Sequence, residues 1–187
     1  KLVKEMPQVM LDFNAIAQGY TVDVLSSFLE SKGIRNYLVE VGGELRAKGK
    51  KADDSYWIAG IEQPVENSAD GGALNNLRIK ISNKSLATSG NYKKFYIEDG
   101  NKYTHIINPF TGYPARNNLL SATVIAGNCM TADAFATAFM VMGLDKAKQF
   151  LAGNKNLGLE VLFIYDEKGI SKTYMSKGFE ENVEVLQ

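Results

Sequence analysis

The stretch that most constrains how this chain can fold is residues 121–143, SATVIAGNCMTADAFATAFMVMG. Residues 122–126 form a β-branched apolar run that predicts a strand, and Gly127-Asn128 then opens a helix rich in Ala and Met. On that helix Asp133 and Thr137 are four residues apart, so both side-chain oxygens lie on one face, one turn apart. Everything else there is apolar or small. A carboxylate on a tightly packable apolar helix needs a partner, because burying an unpaired charge is costly. A hard cation such as Mg²⁺ suits a carboxylate plus a hydroxyl, above all where substrate phosphates complete its shell. A simpler account places Asp133 in the first turn, where it favours the helix dipole, and makes Thr137 a small core filler. Read alone, the stretch favours the simpler account.

At 187 residues the chain fits one domain with a real core. Lys and Arg number 21 and so do Asp and Glu, so the net charge is zero and gives no electrostatic footprint for nucleic acid or an anionic membrane. Cys129 is the only cysteine and His105 the only histidine, which excludes an internal disulfide, a multi-cysteine metal site and a histidine cluster. The uncharged apolar run over residues 134–144 is too short to span a membrane. The first residue is Lys1 rather than Met, and the sequence reads as a piece of something longer.

Elsewhere the pattern predicts a strand at 9–13 and a helix from Ala15, with Ile16, Tyr20, Val24, Phe28 and Leu29 near one face and Gly33 ending it. Strands are expected at 37–41 and 44–48 around Gly42-Gly43, with 56–61 closing a hairpin onto 44–48. Residues 63–76 read as a surface loop, 77–82 and 85–88 as strands, and 93–97 with 102–107 as a hairpin turned by Asp99-Gly100. Residues 108–114, NPFTGYP, form a rigid loop of the kind that carries binding residues. Gly143 ends the main helix, Asp145 caps a shorter one to about Ala152, and 158–165 pairs with 170–175. Strands joined as hairpins with two substantial helices make an α+β, mostly antiparallel plan.

Three constellations could carry chemistry. In LDFNAIAQGY (11–20) Asp12 precedes a helix start, where free N–H groups suit a phosphate or a flavin carbonyl, although Asp there is also a common cap. His105 ends a strand entering the 108–114 loop and is the side chain whose ordinary pKa suits a general base; a lone His is more often structural. Residues 84–92, KSLATSGNY, could line a phosphate site or simply end a strand. Gly42-Gly43 lacks the spacing of a dinucleotide fingerprint or a P-loop and reads as a tight turn.

Taken in order, LDFNAIAQGYTVD (11–23), YLVEVGGELRAKG (37–49), SLATSGNY (85–92), THIINPFTGYP (104–114) and ATVIAGNCMTADAFATAFMVMG (122–143) resemble the FAD:protein FMN transferases of the ApbE family, formerly called thiamine biosynthesis lipoproteins. The resemblance implies a T-fold-like architecture and an enzyme that splits the pyrophosphate of FAD, releases AMP and joins FMN by a phosphoester to a Thr or Ser of an acceptor protein. It also implies a Mg²⁺ held by Asp133 and Thr137, with Ala15 contributing its backbone carbonyl. Asp12, Gln18 and Ile107 match flavin-contacting positions, Ile107 through its main chain, and His105 matches the base that takes the acceptor proton. Some members carry a further carboxylate just before the metal Thr, where this chain has Ala136. Members are commonly exported or lipid-anchored on the outer face of the cytoplasmic membrane, and they usually carry an N-terminal segment ahead of the Asp12 motif. FAD hydrolysis to FMN and AMP, and non-catalytic flavin binding, are the alternatives the same residues allow.

Overall fold

A computed structural model describes residues 3–61, 77–91, 95–98, 101–104, 106–115 and 117–185. The expected loop at 63–76, the Asp99-Gly100 turn and His105 lie outside the described residues. The element order is α1 (Ala17–Ser31), β1 (Tyr37–Val41), β2 (Glu44–Lys48), β3 (Trp57–Gly60), β4 (Leu77–Ile81), β5 (Lys84–Gly90), β6 (Phe95–Glu98), β7 (Asn101–Thr104) and β8 (Leu119–Ala126). It continues with α2 (Cys129–Met142), α3 (Leu144–Gly153), β9 (Glu160–Glu167), β10 (Ile170–Met175), α4 (Lys177–Glu180) and β11 (Val183–Val185).

An antiparallel six-stranded sheet, ordered β1-β2-β5-β8-β9-β10, forms the middle layer. The alternation of side chains along its strands builds two separate cores. On β9, Val161 and Phe163 turn toward α2 and α3, where they join Ala87, Val124, Ala132, Ala136 and Phe139. Leu162 and Ile164 turn the other way and meet Leu77, Ile79, Ile81 and Phe179 beneath the smaller β11-β4-β3 sheet and α4. The α+β antiparallel plan is therefore present, as helices on one face of a sheet and a second sheet on the other. The β6-β7 hairpin stands as its own two-stranded ribbon.

Several local expectations are corrected. Residues 9–13 are not a strand: Val9, Met10, Leu11 and Phe13 are exposed and no described strand pairs with them, so their backbone has no ladder to join. The hairpin between 44–48 and 56–61 does not form, because β1 and β5 occupy both edges of β2, and β3 pairs with β4 in the second sheet. Trp57 keeps only a side-chain link to the main sheet, donating from Nε1 to the Lys48 carbonyl at 3.0 Å. The buried stripe of α1 is Gly19, Val22 and Ser26, while Tyr20, Val24 and Phe28 are exposed. Asp145 lies in the first turn of α3, whose cap is Gly143.

Candidate functional site

The site grows from the way α2 is started and held. Its first four N–H groups would be unpaired in isolation. Here Cys129 and Met130 donate to the two carboxylate oxygens of Asp23 on α1, each at 2.9 Å. Thr131 donates to the Asn128 side chain at 2.8 Å, and Ala132 to the Asn128 carbonyl. Arg46 of β2 lies 3.3 Å from Asp23 Oδ1 and ties this cap to the sheet. The helix terminus is thus satisfied without Asp133, which sits a turn further on and is buried. That overturns the dipole account of Asp133 and leaves its carboxylate to be explained.

Asp133 Oδ2 accepts a hydrogen bond from the Gly19 N–H at 3.0 Å. Gly19 lies in the first turn of α1, whose N–H groups have no acceptor within the helix, so Asp133 satisfies one of them from across the corner. Only glycine permits the approach: a β-carbon at position 19 would lie 2.5 Å from the Cys129 carbonyl oxygen and 2.8 Å from Asp133 Cβ. One turn along α2, Thr137 Oγ1 shares a 3.0 Å hydrogen bond with Ser89 Oγ of β5, so its hydroxyl is placed as well. Burial raises the pKa of Asp133, and the Gly19 N–H works against that rise.

Two further residues complete the corner. Gly42, with φ +66°, turns β1 into β2 beneath Gln18; a β-carbon there would meet Gln18 Nε2 at 1.9 Å. Glu44 follows, buried, with Oε2 unpartnered. Burial, and then the neighbouring Asp133 charge, push its carboxyl up to about 7. Burial also raises the Cys129 thiol, followed by the charges of Asp23, Glu44 and Asp133, so this cysteine stays protonated.

The structure therefore brings Gln18, Asp133 and Thr137 to the α1–α2 corner, while Ala15 precedes α1 and its cap Ile16. Asp12 lies exposed just upstream, where its Oδ1 accepts from the Asn14 N–H at 2.7 Å; it closes a local turn rather than capping α1. Ile107 is exposed in a bridge with Pro114, while its neighbour Ile106 anchors that loop in the helix-side core. Among the described residues no contact ties Ile107 to the corner, and no group of three or more His, Cys, Asp or Glu could hold a metal ion. What the corner offers instead is a pair of hard oxygens, the Asp133 carboxylate and the Thr137 hydroxyl.

Comparison with known proteins decides the lineage. The ApbE family model matches residues 1–163. The chain belongs to the ApbE family. An FAD:protein FMN transferase of Vibrio cholerae is 39% identical over 178 residues, covering 95% of this chain and 51% of the relative. Its counterpart in Escherichia coli K12 is 36% identical, covering 95% and 49%. Among solved structures, the flavin transferase ApbE from Vibrio cholerae superposes with TM-score 0.81 at 38% identity, covering 96% of this chain and 54% of that one. The apo form of the Pseudomonas stutzeri flavinyl transferase ApbE gives 0.78 at 35%, covering 92% and 51%. The antiparallel sheets and packed helices are those of the ApbE architecture, and the chain spans about half the length of the curated relatives it matches.

Sequence reasoning missed Asp23, Gly19 and Glu44 at this ApbE corner. A signal existed for Gly19, since glycine inside a helix is costly and often marks a close approach. None existed for Glu44, because the alternation Glu44, Arg46, Lys48 against Leu45, Ala47 reads as a solvent face until α1 and α2 cover it.

Proposed function

We propose that residues 1–187 are a single domain forming the C-terminal portion of a longer FAD:protein FMN transferase, and that the α1–α2 corner is where the FAD pyrophosphate is held. The observation that carries this reading is the Gly19 N–H bond to Asp133, which fixes a buried carboxylate one turn from the placed Thr137 hydroxyl. Those donors fit a hard divalent cation, which prefers oxygen ligands. Asp133, Thr137 and the Ala15 carbonyl would hold Mg²⁺, which supplies charge neutralisation for the pyrophosphate and for the leaving phosphate.

The chain's own residues then divide the work. Asp12 and Gln18, with the main chain of Ile107, orient the flavin nucleotide. His105 takes the proton from the acceptor Thr or Ser hydroxyl, whose oxygen attacks the FMN phosphorus as the bond to AMP breaks. Family membership supports an exported, lipid-anchored setting for the parent protein and an acceptor protein with a Thr/Ser flavinylation motif. Among the described residues no helix is long and apolar enough to cross a membrane.

The test is incubation of the full-length protein with FAD, Mg²⁺ and an acceptor peptide. FMN-sized mass gain on the peptide with equal AMP release is expected, and His105→Ala should abolish transfer while leaving FAD binding intact. Free FMN and AMP without peptide labelling would identify a hydrolase, and FAD left intact would identify a binding module.

A further inference from the structure

The α2 helix offers the cation one carboxylate, Asp133, because the residue before Thr137 is Ala136. The opposite wall of the same corner is the start of β2. Its Leu45 and Ala47 belong to the core beneath the second sheet, so Glu44 and Arg46 face α1 and α2. Arg46 is taken by Asp23 and Glu30. Glu44 is 7% exposed, and among the described residues its Oε2 has no hydrogen-bond partner. That oxygen lies 3.6 Å from the point where a Gly42 β-carbon would project, beside Gln18 Nε2 and close enough to Asp133 for their charges to interact.

An ionised buried carboxylate without a donor, beside a second buried carboxylate and, among the described residues, without an ion-pair partner, is unfavourable unless a proton or a cation joins the pair, and a cation can serve both carboxylates at once. We infer that Glu44 supplies from β2 the second carboxylate of the divalent-cation site. The inference rests on the reading of Asp133 and Thr137 as cation-holding groups, and it adds a residue from a different element to them. Because Gly42 has no side chain, Gln18 can lie against the turn beside Glu44, and the turn that looked like simple punctuation becomes the floor of the site.

Mn²⁺ affinity separates the two claims without any turnover. The full-length protein, with FAD present, is titrated with Mn²⁺ and free Mn²⁺ is read by electron paramagnetic resonance, for wild type, Glu44→Gln, Glu44→Asp and Asp133→Asn. Thermal unfolding in chelator checks that each variant is folded. Glu44→Gln should weaken Mn²⁺ binding at least tenfold with its chelated melting temperature unchanged or raised, and Glu44→Asp should fall between. Wild-type affinity in Glu44→Gln together with loss in Asp133→Asn overturns the Glu44 inference alone. Unchanged affinity in both, or no Mn²⁺ binding by wild type, overturns the shared cation reading as well.

Discussion

The two faces of the central sheet obey different rules. Toward the small sheet, Leu45, Leu86, Ile125, Leu162 and Ile164 join one apolar cluster, and Thr88 and Thr123 on that side share a 2.9 Å hydrogen bond. Toward the helices, the same strands bury Glu44 and Ser85, whose Oε2 and hydroxyl have no hydrogen-bond partner among the described residues, opposite a buried Asp133. A face without unmet polar groups stabilises and does nothing else. A face that leaves them unmet is strained in the free protein, and strain of this kind concentrates where a ligand is received.

The largest effect that sharpens this contrast is expected on the apolar face. Leu162→Ala removes a fully buried side chain and should cost about 2–5 kcal/mol in denaturant unfolding, while the folded fraction keeps its Mn²⁺ affinity.

The next belongs to the helix face and has the opposite sign. Glu44 has its pKa raised in the fold, from 4.5 to about 7. Its contribution to stability is therefore fully present below pH 4.5 and is lost as pH rises through 7. In chelator, the wild type should lose on the order of 3 kcal/mol across that window. Glu44→Gln should lack this fall, so that above neutrality the variant is the more stable protein. An identical pH profile for the two would erase the distinction between the faces.

Smaller, and confined to the corner, Gly19→Ala forces a methyl against the Cys129 carbonyl and Asp133 Cβ. About 1–3 kcal/mol of destabilisation is expected, with weakened Mn²⁺ binding because Asp133 must move. At the bottom of the scale, the Lys172–Glu167 pair on the exposed β9-β10 hairpin bears on neither face. Lys172→Ala should leave the denaturation midpoint unchanged within error.

Much of the local structure was legible before any coordinates. β1, β2 and β10 occupy the residues their alternation predicts, and the Gly42-Gly43 turn and the start of α2 fall where the glycines and Asn128 put them. Which strand pairs with which was not legible, because a strand's own pattern says nothing about whether its edges are already filled, as those of β2 are by β1 and β5. The face of α1 was misread for a related reason. Periodicity weighs large apolar side chains such as Tyr20 and Phe28, whereas close helix packing selects small ones such as Gly19 and Ser26. At the site, Asp133 and Thr137 were visible through their spacing, but their meaning depended on Asp23, 106 residues away in sequence from the Cys129 N–H it caps. Glu44 became visible only as a buried oxygen with no donor.

The most direct measurement is anomalous diffraction from a crystal of the full-length protein soaked with Mn²⁺ and FAD. A Mn²⁺ peak within ligand distance of Asp133, Thr137 and the Ala15 carbonyl, with the pyrophosphate against it, is the expected result. FAD bound with no cation at Asp133, or a cation held elsewhere, would contradict it.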